Sequence, residues 1–238
     1  MVTLIKNAQM GKSDLGWLRS SFHFSFAQYF NPDNINFGVL RVLNDDQVQA
    51  QTGFNLHPHK NMEIISYVID GHLTHGDSQG NSKSLSRGEA QYMSAGHGIM
   101  HSEHNKSDEL TRFLQIWILP NEQELEPNYG DVSFPWEDRV DKWLHLATST
   151  TSPKKHEQTI QIHADINMYV TYMTEDTKQN FTVSKGRQVY LVLIEGNSDI
   201  NGITLSQRDA LTSIEEDLTI HATTDAHLLV IEMEKTDE

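Results

Sequence analysis

The stretch Gly53 to Asn105 carries a doubled pattern, His57-Pro58-His59 near one end and His101-Ser102-Glu103 near the other. Side chains two apart on a β-strand point to the same face, so His57 and His59 project together, and so do His101 and Glu103. A sheet that folds one pair over the other gathers three imidazoles and a carboxylate around one point, the donor set of a metal centre. In a chain with 13 histidines a lone His-x-His means little. Two pairs with the same alternation mean more, because a site built on loops would not need it. Pro58 agrees with this reading, since proline within a sheet is confined to an edge or to the start of a strand.

Between the pairs the chain reads as antiparallel strands joined by tight turns. Ile64-Ile65-Ser66-Tyr67-Val68-Ile69 is a short, mostly apolar run, Asp70-Gly71 and Gly80-Asn81 supply turns, and Ser94-Ala95-Gly96-His97-Gly98 makes the bend that returns His101 over His57. The product is an all-β barrel built from hairpins. His72, His75 and His104 are expected to face solvent, and His97 to stand at a pocket rim. Upstream, Phe22, Phe24 and Phe26 are expected in the core, and Phe37 to Val42 as a strand closed by Asn44-Asp45-Asp46. Asn121 to Pro135 has the composition of a linker, with Pro127, Gly130 and Pro135 breaking regular structure.

The 238 residues, 37% hydrophobic, suffice for one large or two small cores. A formal net charge of −15 repels phosphate backbones and argues against direct nucleic-acid binding. Without cysteine, any metal must be held by nitrogen and oxygen. No secretory apolar segment opens the chain and no long apolar run spans a bilayer, which predicts a cytoplasmic protein with no membrane partner. The densest basic run, Lys154-Lys155, is too small for a nuclear address.

The second half repeats the first in outline. Val68-Ile69-Asp70-Gly71 is echoed by Leu193-Ile194-Glu195-Gly196, and Leu85-Ser86-Arg87-Gly88-Glu89-Ala90 by Leu205-Ser206-Gln207-Arg208-Asp209-Ala210. Two domains are therefore expected, 1–134 and 135–238. Carried through the repeat, the places of His57, His59, His101 and Glu103 fall on Thr182, Ser184, His221 and Thr223. One ligand of four does not hold a metal, so the second barrel is expected to be metal-free.

Phe24-Ser25-Phe26, Leu40 to Asp46, His57-Pro58-His59, Tyr67 to Gly71, Asp77 to Asn81, Met93 to Gly96, Ile99 to Glu103 and Leu114 to Ile118 together resemble the pirin family of the cupin superfamily. The resemblance is strongest up to about Pro120. It implies a bicupin of two antiparallel jelly-roll barrels, with one divalent metal ion per chain, iron(II) in the family, held by His57, His59, His101 and Glu103. Zinc, manganese, copper and nickel suit the same donors. It also implies one of two functions. Bacterial members resemble quercetin 2,3-dioxygenases, which open a phenolic flavonol with dioxygen and release carbon monoxide; at such a site Glu103, if bound through one oxygen or swinging free, is the expected base for the substrate hydroxyl. A mammalian member is a co-regulator that acts through a protein partner. The enzyme is the favoured reading. Two departures stand out: Phe22-His23 occupies the place of the family's usual His-Thr, and Glu63 stands where general cupins carry a carboxylate ligand. The pirin pattern assigns that ligand to Glu103 and leaves Glu63 a supporting part.

Overall fold

A computed structural model of the chain describes residues 1–153 and 159–236, so the Lys154-Lys155 pair lies outside the described residues. Contacts divide the chain into two units, one of Gly11–Phe134 with Ile162–Ala164, the other of Met1–Met10, Pro135–Gln161 and Asp165–Glu238. The strand Val2–Ile5, placed by the sequence in the first domain, pairs instead with Ala210–Ile214. Each unit is a jelly roll of one seven-stranded and one four-stranded sheet. Among the described residues no helix is long and apolar enough to cross a membrane.

In the unit that carries the histidine pairs, the large sheet runs Asn128–Val132, Ala90–Ser94, Glu63–Asp70, Thr111–Ile118, Leu40–Val48, Leu18–Phe22, Gly11–Asp14, all antiparallel. The small sheet runs Thr52–His59, Ile99–Asn105, Leu73–Asp77, Ser82–Leu85. Inward side chains of both sheets meet in a core in which Leu18, Val48, Val68 and Phe113 of the large sheet pack with Leu73 and Leu85 of the small one. Thr52–His59 is an edge strand, which is where Pro58 costs no ladder hydrogen bond. The bend expected at Ser94 to Gly98 forms where Gly96 and Gly98 take positive φ, and a β-carbon at Gly96 would lie 1.9 Å from the Leu125 carbonyl oxygen.

Two sequence expectations fail here for physical reasons. Asn44-Asp45-Asp46 does not close a strand: Leu40–Val48 runs straight through it, with all three side chains buried. Asp45 is accounted for by a bidentate pair with Arg112, at 2.9 and 2.7 Å. Nor is 121–135 free of regular structure, since Asn128–Val132 pairs with Ala90–Ser94. Gly130 belongs to that strand because a β-carbon there would press to 2.4 Å on the Tyr92 ring.

The other unit has the same plan, and its core joins Leu191, Leu193, Leu228 and Val230 of the large sheet to Ile200, Leu205, Leu218 and Ile220 of the small one. The repeated turns coincide as well. Gly71 and Gly196 each follow the end of a strand, Glu63–Asp70 and Arg187–Glu195, each with positive φ. His221 lies on Leu218–Ala222 with its Nε2 3.6 Å from Asp176.

Candidate metal centre

The centre is built on three neighbouring strands of the small sheet. Ile99–Asn105 lies between Thr52–His59 and Leu73–Asp77, so His101 stands opposite His57 on one side and Asp77 on the other. Between His101 and Glu103 the register slips, and Glu103 faces Phe54 instead of Asn55. This bulge gives the edge strand one extra residue and re-aims its side chains. It also leaves the Asn55 carbonyl 2.8 Å from Nδ1 of His57. A carbonyl only accepts, so Nδ1 carries the proton and the lone pair of His57 is on Nε2.

That lone pair points at another nitrogen. Nε2 of His57 and Nε2 of His101 are 3.0 Å apart, and ligand atoms of His57, His59 and His101 all lie within 4.8 Å of one another. Two nitrogen ligands about 2.1 Å from one ion and at a right angle stand roughly 3.0 Å apart, so the pair has the spacing of two ligands of one ion. Burial, and then the neighbouring imidazoles, push the pKa of both His59 and His101 down to about 3. Both are therefore neutral at ordinary pH, as ligands must be. These residues fit a divalent metal ion.

Glu103 is buried just beyond the three rings in a cradle of donors. Its Oε1 accepts from Ser66 Oγ at 2.6 Å and Gln91 Nε2 at 2.7 Å, and its Oε2 accepts from Gln115 Nε2 at 2.5 Å. The cradle is a row across the large sheet: Asn44 is opposite Gln115, Gln115 opposite Ser66, and Ser66 opposite Gln91. With two donors on Oε1 and one on Oε2, the carboxylate keeps one acceptor direction, on Oε2. Among the described residues the cluster within 4.8 Å consists of the three histidines alone.

His75, expected in solvent, is buried. It stands opposite Glu103, its Nε2 lies 3.1 Å from Asp77 Oδ2, its ring stacks on Tyr129 at 4.3 Å, and it faces the His101 ring at 5.5 Å. His-x-Asp at 75 and 77 carries the same two-residue spacing as the other pairs, and that was the available signal. Ser66, Gln91 and Gln115 give a fainter one, a polar side chain flanked by apolar or aromatic residues inside each of three strands. His97 is exposed on its bend, 3.3 Å from Glu126, and is not part of the cavity wall. Glu63 is turned to other work: its Oε2 accepts from Ser94 Oγ at 2.7 Å and from the His163 backbone N–H at 3.3 Å. Replacing it with Gln is expected to leave most of the metal bound, with at most a ~10–100-fold loss of affinity. Metal content after dialysis against a chelator checks this, and complete loss would make Glu63 a ligand.

His57, His59 and Glu103 share the wall of a cavity of about 240 Å³ with Phe22, Phe26 and Trp117. The aromatic residues near the N-terminus are thus divided in their roles. Phe22 and Phe24 are both buried in the core as expected, and Phe22 and the half-buried Phe26 also line the cavity. Trp117 packs edge-on against His59 at 4.9 Å and against Phe26 at 5.4 Å. The cavity thus joins aromatic side chains, Phe22, Phe26, Phe54 and Trp117, to two imidazoles and a carboxylate.

Residues 4–118 match the family described as Pirin, and residues 150–233 match the Quercetinase C-terminal cupin domain. The chain is 38% identical over 236 residues to a protein of Escherichia coli K12 named quercetin 2,3-dioxygenase, covering 98% of this chain and 99% of that one. It is 39% identical over 225 residues to a pirin-like protein of Caulobacter vibrioides, covering 94% and 96%. Among solved structures, the bacterial pirin YhhW of Escherichia coli in complex with nickel(II) superposes with a TM-score of 0.91 at 35% identity, over 99% of this chain and 100% of that one.

Proposed function

The chain belongs to the pirin family, and from that premise we propose that it is a metal-dependent dioxygenase that opens a flavonol such as quercetin with dioxygen. The observation that carries the proposal is the convergence of three imidazoles, two of them held neutral by burial, beside an aromatic cavity that His57 and His59 help to line. One ion per chain is proposed, held by His57, His59 and His101, with Glu103 as the fourth ligand through the open direction on Oε2. Iron(II) is the proposed native metal, and the cytoplasm the proposed compartment. The partners are a phenolic substrate and dioxygen.

When bound, the ion supplies Lewis acidity for an ionised hydroxyl and a path for electron density toward dioxygen. The chain's own residues do the rest. Phe22, Phe26, Phe54 and Trp117 hold a flat polyphenol by its faces and keep water from it. Glu103 serves one role at a time: its single open direction on Oε2 would hold the ion or, when the substrate hydroxyl takes that place, accepts the hydroxyl's proton. Ser66, Gln91 and Gln115 keep that carboxylate from turning away.

The test is product analysis. Metal-loaded protein incubated with quercetin in air is expected to bleach the flavonol and release one carbon monoxide per dioxygen consumed. A loaded protein that binds quercetin and consumes no dioxygen would move the assignment to the regulatory reading, in which a protein partner senses the redox state of the ion.

A further inference from the structure

The cavity wall holds a carboxyl group that the proposed chemistry leaves unused. Asp45 and Asp46 are adjacent in Leu40–Val48 and so face opposite ways. Asp45 has its arginine, while Asp46 lines the aromatic cavity with 3% of its surface exposed. Among the described residues its one hydrogen bond is from Ser20 Oγ to Oδ1, at 2.5 Å, and it has no cationic partner. A carboxylate has about four acceptor directions, so most of its capacity is open. Asn44, two residues back on the same face, also lines the cavity, and its Oδ1 is buried with no hydrogen-bond partner. Ser20 lines it too, opposite Asp46 in the neighbouring strand. The apolar slot therefore has one polar edge of Ser20, Asn44 and Asp46, with two of the three left short of partners.

A fold does not place an unpaired acid in an apolar wall for stability, because burying it without partners costs free energy. Burial, together with the charges of Asp45 and Glu103, holds the Asp46 carboxyl at about 7 in spite of the Ser20 donor. A ligand hydroxyl would supply the missing partner. We propose that Asp46, with Ser20 and Asn44 beside it, is the specificity-determining edge of the cavity and takes a hydrogen bond from a ring hydroxyl of a polyphenol other than the hydroxyl directed at the imidazoles. This rests on the flavonol reading above and names which flavonols the site prefers. A site that hydrogen-bonds a ligand hydroxyl rejects the analogue lacking it, because the polar group is then left buried and unpaired.

The probes are quercetin, which carries hydroxyls on both outer ring systems, and 3-hydroxyflavone, which has none there. Dissociation constants are read from quenching of tryptophan fluorescence in metal-free protein, since Trp117 lines the cavity, and KM from the loaded enzyme. Wild-type protein is expected to favour quercetin. Asp46→Ala is expected to weaken quercetin ~10-fold or more and 3-hydroxyflavone less than twofold, which erases the preference. Asp46→Asn keeps the shape, so the comparison survives if the alanine variant folds poorly. Equal weakening of both ligands, no weakening of either, or no quercetin binding by the wild-type protein would overturn the proposal. If the loaded wild-type enzyme consumes no dioxygen but the binding pattern holds, the Asp46 assignment stands and the dioxygenase reading falls.

Discussion

Replacing Glu103 with Gln is expected to lower metal content partially and turnover per bound metal by ~10²–10⁴-fold, the usual contribution of a positioned general base. The partial loss of metal follows because the amide sets its NH₂ in the place of Oε2, which leaves the three imidazoles to hold the ion. An amide oxygen at 103 satisfies Ser66 and Gln91, but its NH₂ then faces the NH₂ of Gln115. Gln115 relieves that clash by flipping its amide, which sets its NH₂ beside Ser66 Oγ, the atom 3.1 Å from its oxygen before the flip. The site survives, somewhat loosened. Turnover falls further because the amide has no proton affinity at these pH values. Raising the pH is expected to restore part of the loss, since an already ionised flavonol needs no base. Quercetin decay followed by absorbance, normalised to bound metal between neutral and mildly alkaline pH, checks this. Unchanged turnover per metal would remove the base role from Glu103.

The second large effect is on stability. His23, His59 and His101 are each held at about 3 chiefly by burial, against about 6.5 in an unfolded chain. Below about 6.5 the unfolded chain takes up protons that the folded one refuses. The stability these groups allow is therefore complete above 6.5 and declines as pH falls toward 3, by roughly 1.4 kcal/mol per pH unit for each imidazole. Asp46 works the other way. Its folded value of about 7 lies above the unfolded 3.8, so as pH falls between those limits the folded state gains stability. Glu63, also raised by burial, works with Asp46, so the three imidazoles are only partly offset. Metal-free protein is expected to lose stability as pH falls from 6.5 toward 4. Urea midpoints of metal-stripped protein at stepped pH measure the slope. Asp46→Asn is expected to steepen it and to raise stability at pH 8, and a flat profile from 7 to 5 would contradict the buried neutral imidazoles.

Much of this was legible in the sequence, and what was missed has a common cause. The histidine pairs, the glycine turns and the repeat are local signals written at fixed spacing, and the structure keeps them: His57 and His101 stand opposite each other, and Gly71 and Gly196 end equivalent strands. The misreadings concern polar residues whose partners are remote in sequence. Asn44-Asp45-Asp46 resembles a turn until Arg112 neutralises Asp45 from the next strand. His75 resembles a hairpin flank until Tyr129, in a segment that reads as linker, covers its ring. Ser66, Gln91 and Gln115 become a carboxylate cradle only when the register of three strands aligns them. A buried polar side chain is tolerated where it has such partners, and sequence alone does not supply them.

One ion at His57, His59 and His101 is expected to turn over a flavonol with dioxygen. The most direct measurement is a titration of metal-stripped protein with iron(II) under anaerobic conditions, each step followed by admission of quercetin and dioxygen and measurement of the initial rate of dioxygen uptake. Uptake is predicted to rise linearly and break at one equivalent per chain, and to be absent throughout in His57→Ala. A break at two equivalents, or the same uptake from the His57→Ala protein, would contradict it.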